Sequence, residues 1–298
     1  MLILKPISVE TIWGSNRLYD YCGDVTKTKI GSLYTVAAQE DLSNLILNGE
    51  FKDNSLYKVF QLQPNLFNFN RYQVFPLLIG LVDACDNLSI QVHPTDEYAK
   101  KIEGKPFGKT ESWVFIEPPK SGSIFDGIKC STIDEVKENI ANDNFMNIID
   151  SLEVKQGDYV YVEAGTIHAL TEGSLVYEIQ QSTDITYRFY DYDRLDKEGN
   201  KRELQLEKAL AVIDTNKKSV SKHYFDNANY EEKYYTTRVS QVSGNYHNKQ
   251  DVFVSVTVIE GQLEYDNILI RKGMSFIVFP NEKIELAGNA KCITAIPR

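Results

Sequence analysis

Gln91 and His93 stand two residues apart in Leu88-Ser89-Ile90-Gln91-Val92-His93-Pro94, and Lys109 and Glu111 stand two apart in Gly108-Lys109-Thr110-Glu111-Ser112-Trp113. Side chains alternate between the faces of a strand, so Ser89, Gln91 and His93 share one face while Leu88, Ile90 and Val92 take the other. An amide, an imidazole, an ammonium and a carboxylate converging from two strands are too polar for an ordinary core. They are suited to a metal site. A third stretch, Gly157-Asp158-Tyr159 through Ala164-Gly165-Thr166-Ile167-His168, reads as a turn, an alternating strand and a bend that presents one more histidine. Two His, one Glu and one Gln make a mixed nitrogen and oxygen donor set. Zn²⁺ is the first expectation, one ion per chain, and Fe²⁺ or Mn²⁺ would accept the same ligand types. With no thiolate in the set, a purely structural zinc is disfavoured. A lone Gln-x-His is more often incidental than ligating. What raises it here is its coexistence with Lys-x-Glu and a turn-presented His.

Asp184, Thr186 and Arg188 are expected on one face of a strand within Ser182–Arg194. An arginine there could hold an anion through two parallel hydrogen bonds. In isolation, a solvated face with an Arg–Asp pair is common and would be the default reading. His223 and His247 sit in polar stretches and read as surface residues, while Trp13 and Trp113 read as core. No phosphate-binding loop, dinucleotide fingerprint, nucleophile elbow or His-Glu-x-x-His helix is present.

The elements that must position these residues are mostly strands. Phe75–Ala84 is nearly continuous apolar sequence and reads as a buried strand pairing in a hairpin with the Gln91 strand. Thr95 caps a short helix, and a second helix is expected over 54–60 with Asn54 as its cap. Residues 132–152 repeat apolar side chains at helical spacing, with a break near Asn142-Asp143. Leu204–Val212 reads as a further short helix, and 215–235 as a connector or peripheral strand pair. From Val252 onward, short strands alternate with turns at a spacing of about 8–12 residues, the pattern of a sandwich or barrel.

The 298 residues are enough for one large or two modest domains without staples. A net charge of −10 disfavours nucleic acid or an anionic membrane as partner. The four cysteines are far apart with no Cys-x-x-Cys, as expected of free thiols. No apolar run approaches a membrane span, and the N-terminal stretch lacks the order of a signal peptide, so a cytoplasmic protein is expected.

FPLLIGLVDACDNLSIQVHPTDEYA, GKTESWVFI, EAGTIHAL and YEIQQSTDITYRFYDYDR together resemble the type I phosphomannose isomerases in their short bacterial form. The resemblance is strongest over 75–194 and weak after 215. It implies a mainly β fold of two cupin-type jelly-roll barrels: a catalytic domain over 1–215 with a helical insertion at about 131–152, and a cupin-like domain over 216–298. It implies zinc held by Gln91, His93, Glu111 and His168. Lys109, Arg188 and Asp184 become the catalytic residues, and Ser89, Lys109 and Arg188 contact the substrate. The reaction implied is interconversion of mannose 6-phosphate and fructose 6-phosphate through a cis-enediol, by a monomer or homodimer. Other readings are a non-catalytic metal- and sugar-binding module, or an isomerase of another phosphosugar. The chain departs from the family pattern twice. Gly31-Ser32-Leu33-Tyr34 stands where the family usually has Gly-Glu-x-Trp, and Gly80 stands where it usually has Lys.

Overall fold

The computed structural model describes residues 1–69, 74–195, 199–223 and 228–298. The chain is mainly β, as expected, but among the described residues its strands form open sheets rather than closed barrels. It divides into two compact units, one comprising 1–10, 15–81 and 224–298, the other 11–14 and 82–223. This division is interleaved in sequence, unlike the linear one at residue 215. The reason is a pairing that no local pattern announces: Leu2–Leu4 lies antiparallel to Ser275–Val278, with Leu2 opposite Ile277.

In the first unit the long strands Tyr235–His247, Val254–Tyr265 and Lys283–Pro297 pair antiparallel. Val242, Val254, Val256, Phe276 and Cys292 are buried together with Ile3. Phe67 packs edge-on against Phe60, Phe75, Phe253 and Phe279. Part of the expected connector over 215–235 forms a strand, Asn229–Glu231, on the edge of this sheet; residues 224–227 lie outside the described residues. The helix expected near 54–60 runs over Leu56–Leu62. Its cap is Ser55 rather than Asn54, because the Ser55 hydroxyl accepts from the Lys58 N–H.

The two departures from the family pattern meet in this unit. Gly80 lies in the fully buried strand Leu77–Asp83. A Cβ there would stand 3.0 Å from the Leu33 carbonyl oxygen and 3.4 Å from the Tyr34 ring. Gly80 and the altered Gly31–Tyr34 segment are therefore neighbours, and the space a side chain would need at 80 is filled by the backbone and ring of 33–34.

The second unit contains nine strands among its described residues: β1 (Ile90–Val92), β2 (Glu111–Glu117), β3 (Ser123–Ile128), β4 (Ile149–Glu153), β5 (Asp158–Val162), β6 (His168–Ala169), β7 (Leu175–Gln181), β8 (Tyr187–Tyr190) and β9 (Ser221–His223). One sheet has the order β8-β1-β6-β3-β4, and β9-β5-β2-β7 lie side by side in another. The expected hairpin between Phe75–Ala84 and the Gln91 strand does not form, because β1 pairs instead with β6 and β8. Apolar continuity marks both strands as buried but says nothing about which neighbour each takes.

Alternation in the five-stranded sheet separates two surfaces. Ile90, Val92, Ala169, Tyr187 and Phe189 are buried in one cluster with Val136, Phe145, Ile148, Ala209 and Ile213. The helical residues 133–141, 145–148 and 206–212 thus cover this face. Each large apolar side chain so buried contributes about 1.5–3 kcal/mol. Thr132 caps the first of these helices by accepting from the Glu135 N–H at 3.2 Å. The opposite face carries Gln91, His168 and Arg188, leaving the helices to seal the back of the sheet that holds the chemistry.

Buried Asn44 ties three segments of the first unit. Its side-chain oxygen accepts from the Ala37 N–H, and its amide donates to the Lys5 and Tyr34 carbonyls at 2.9 and 3.0 Å. Asn44→Ala leaves those backbone groups without partners. It is expected to cost about 2–4 kcal/mol in urea unfolding, while Asn54→Ala, at the position not used as a cap, costs under about 0.5 kcal/mol.

Candidate metal centre and active site

Register brings the site together. On neighbouring strands Arg188 lies opposite Gln91, Gln91 opposite His168, and His168 opposite Asp126. Directly paired residues point to the same side of a sheet, so these four side chains form one row across β8, β1, β6 and β3. From the other sheet, Glu111 stands at the start of β2, opposite Val162 on β5 and Gln180 on β7. His93 follows β1 directly.

Glu111 meets both histidines. Its Oε2 is 3.5 Å from His93 Nε2 and its Oε1 is 3.3 Å from His168 Nε2. One potential ligand atom from each of the three lies within 4.8 Å of the others, and all three residues are buried. Gln91 Nε2 is 3.5 Å from His168 Nε2. The remaining ring nitrogens are occupied: His93 Nδ1 is 2.9 Å from the Ile185 carbonyl oxygen, and His168 Nδ1 is 2.9 Å from that of Thr166. A carbonyl can only accept, so each Nδ1 carries the proton and each Nε2 lone pair faces Glu111. Backbone carbonyls commonly fix metal-bound imidazoles in this way.

The polarity of this cluster is otherwise unexplained. His93 Nε2 and Glu111 Oε1 are buried without a hydrogen-bond partner, an arrangement costing about 1–3 kcal/mol per group. Burial, and then the Lys109 charge, push the His93 imidazole down to about 3, so it stays neutral as a ligand must. Burial pushes the Glu111 carboxyl upward, but the Lys109 ammonium outweighs it and holds the group well below the usual carboxylate range. An ionised carboxylate, two neutral imidazoles with inward lone pairs and an amide fit a divalent cation. Their nitrogen and oxygen character suits zinc.

Lys109 is buried, with Nζ 2.8 Å from Glu111 Oε2. It precedes β2 rather than lying in it, so its approach to Glu111 comes from the loop 94–110. The bend before His168 is joined to the same loop: Gly165 N–H donates to the His93 carbonyl, and Ala164 N–H to the Thr110 hydroxyl. Arg188 is half-buried. Its Nη1 donates to the Glu203 carbonyl at 3.0 Å and its Nε is buried without a hydrogen-bond partner. Ser89 is buried next to β1. Asp184 is exposed in the turn before β8, so it does not share a strand with Arg188 as expected; the strand begins at Tyr187. His223 and His247 are both exposed, and Trp113 is buried.

Sequence reasoning missed Glu178. It lies on β7 opposite Trp113, accepts from the Trp113 indole N–H at 3.0 Å, and is half-buried. Desolvation first, and then the Glu111 charge, raise its carboxyl to about 7. Alternation in Val176-Tyr177-Glu178-Ile179-Gln180 places Glu178 and Gln180 on one face with Val176. That signal is present in the sequence, but only the pairing of β7 with β2 turns the face toward Glu111. The inward face of β2 reads Glu111, Trp113, Phe115, and Trp113 and Phe115 pack with Val160, Val162 and Val176. The interior is thus apolar beyond the polar end that holds the site.

A cation bound at this cluster stabilises the fold by linkage, by about 2.7 kcal/mol at a hundredfold excess over its dissociation constant. Zinc added to the metal-stripped chain is expected to raise Tm by several degrees. His93→Ala should remove most of that rise, and elemental analysis should find it with well under one zinc per chain.

A family model described as phosphomannose isomerase type I, catalytic domain, matches residues 2–109. The probable mannose-6-phosphate isomerase GmuF of Bacillus subtilis (strain 168) is 41% identical over 213 residues, covering 71% of this chain and 68% of that protein. Mannose-6-phosphate isomerase ManA of the same organism is 33% identical, with 99% of this chain and 98% of that protein covered. The crystal structure of mannose 6-phosphate isomerase from Bacillus subtilis superposes with a TM-score of 0.84 at 30% identity, covering 99% of this chain and 98% of that one. A zinc-bound mannose 6-phosphate isomerase structure, at 12% identity and a TM-score of 0.72, shares the fold over 100% of this chain and 99% of that one. Because sequence kinship extends along essentially the whole chain, the chain belongs to the type I phosphomannose isomerase family.

Proposed function

We propose that the chain interconverts mannose 6-phosphate and fructose 6-phosphate, with one zinc ion held by Gln91, His93, Glu111 and His168. The observation that carries this reading is the convergence of the buried His93, Glu111 and His168 with half-buried Gln91, with Lys109 at 2.8 Å from Glu111 and Arg188 directly across from Gln91. Family membership supplies the substrate.

In the aldose-to-ketose direction the open-chain sugar loses the proton on C2, and the freed electron pair forms the C1–C2 double bond of a cis-enediol as the C1 oxygen takes up a proton. The O2 proton is then lost, C2 becomes the carbonyl, and C1 receives a proton. Zinc held by Gln91, His93, Glu111 and His168 would supply fixed positive charge close to the reacting sugar oxygens. Lys109 is a buried cation beside the metal ligands, placed to hold or move a proton at a sugar oxygen. Glu178 faces the same interior and is the carboxyl suited to exchanging the carbon-bound proton, since burial keeps it close to neutral. Asp184 is a second acid or base candidate at the exposed rim. Arg188 is the handle for the anionic end of the substrate, its buried Nε being available to an acceptor oxygen. Ser89, on the face shared with Gln91, lines the pocket.

The substrate is a small phosphorylated hexose, and neither nucleic acid nor membrane takes part. The net charge of −10 supports the first exclusion. No helix among the described residues is long and apolar enough to cross a membrane. A cytoplasmic location accords with the four free cysteines.

Coupled assay of both sugar phosphates tests the reading. Chelator-treated protein is expected to lose at least about 90% of its rate and to regain it with zinc. Glu178→Gln should lower kcat about a hundredfold or more with zinc content unchanged. Arg188→Ala should raise KM about tenfold or more. Rates indifferent to chelation would remove the metal from the mechanism. Turnover of another hexose or pentose phosphate at higher kcat/KM would reassign the substrate.

A further inference from the structure

Lys109 lies outside the regular ladder of β2, which begins at Glu111, yet its ammonium is placed within 2.8 Å of one carboxylate oxygen. Some other device must fix the backbone that carries it. The amides on either side of Lys109 are both held by a pair of side chains. Asp96 Oδ1 accepts from the Gly108 N–H at 2.8 Å and also from the Gln181 side-chain amide at 2.8 Å. Gln181 Oε1 accepts in turn from the Thr110 N–H at 3.0 Å. The Lys109 N–H between them donates to the Pro94 carbonyl at 3.0 Å. Three successive backbone donors thus have assigned acceptors, two of them on one linked Asp–Gln pair. The orientation of Gln181 is fixed by chemistry, since only its nitrogen can face a carboxylate and only its oxygen can face an N–H.

The surroundings leave little slack. Gln181 is 2% exposed, and its own N–H donates to the Thr110 carbonyl at 3.2 Å. A Cβ on Gly108 would fall 2.2 Å from the Pro94 carbonyl oxygen, so the two ends of loop 94–109 touch backbone to backbone. Hydrogen bonds to a carboxylate are about twice as strong as neutral ones. Moving Lys109 off its position would break at least two of these contacts, one of which, from the Thr110 N–H to Gln181, lies in a buried place where water does not replace it.

We infer that Asp96 and Gln181 are positioning residues that act through Lys109, locking its backbone so that the ammonium is set before substrate arrives. This rests on the role given to Lys109 above. Neither residue need touch the sugar.

The test uses the zinc-loaded full chain and the variants Gln181→Glu, Asp96→Asn/Gln181→Glu and Lys109→Ala. Gln181→Glu removes the donor and sets two carboxylates against each other. It is expected to lower kcat about tenfold or more, with KM within about twofold, bound zinc equal to that of the parent and Tm within a few degrees. In the double variant the introduced amide at position 96, turned so that its nitrogen faces position 181 and its oxygen faces the Gly108 N–H, can donate to the introduced carboxylate, and the like-charge clash is gone. The pair is thus rebuilt in reverse, and kcat should recover to within about threefold of the parent. On a Lys109→Ala background, Gln181→Glu should change kcat by less than about twofold. Parental kcat in Gln181→Glu, loss that tracks zinc or Tm, failure of the double variant to recover, or a full further loss on the Lys109→Ala background would each overturn the inference. If Lys109→Ala itself keeps the parental rate, the role of Lys109 falls and the clamp with it. A dead Lys109→Ala beside an unaffected Gln181→Glu sinks the clamp alone.

Discussion

An ionised carboxylate in a dry interior needs compensating charge, and the arrangement around Glu111 follows from that need. Its side chain is fully buried. At an effective dielectric of about 20, one opposite charge at 4 Å offsets about 4 kcal/mol, so Lys109 at 2.8 Å is a principal counterweight. Two imidazoles then turn their lone pairs, not their protons, toward the same carboxylate, because backbone carbonyls hold the opposite nitrogens. Lone pairs facing a carboxylate are repulsive in the absence of a cation. The cluster becomes consistent as a whole when a divalent ion stands among them.

The two-sheet construction explains how such a centre coexists with a stable core. Each donor strand contributes only one or two polar side chains at one end of the interior, and the same strands contribute Trp113, Phe115, Val160, Val162 and Val176 deeper in. The five-stranded sheet is apolar on its reverse face, where the helical residues cover it. The helical insertion therefore serves the site indirectly. Without it, the back of the Gln91 strand would be exposed and the row Arg188, Gln91, His168 would lose its support.

Departure from the family pattern is also local rather than scattered. Gly80 and the segment Gly31–Tyr34 are distant in sequence but share one contact surface. The candidate ligands Gln91, His93, Glu111 and His168 lie elsewhere in the sequence.

Much of the chemistry was legible in the residues themselves. Period-two alternation put Gln91 and His93 on one face, and donor type pointed to zinc, because both depend only on neighbours along the chain. The predominance of strands, the helices near 96, 133 and 206 and the exposure of His223 and His247 were readable for the same reason. Tertiary structure alone decided which strand lies beside which: β1 takes β6 and β8 as partners instead of the preceding strand, and Leu2–Leu4 joins the C-terminal sheet. It also decided that Glu178 faces the site, that Asp184 is exposed ahead of its strand, and that Asp96 and Gln181 meet across Lys109. Each of these is a contact between residues far apart in sequence, made when burial of apolar surface chooses among pairings that a local pattern leaves equivalent.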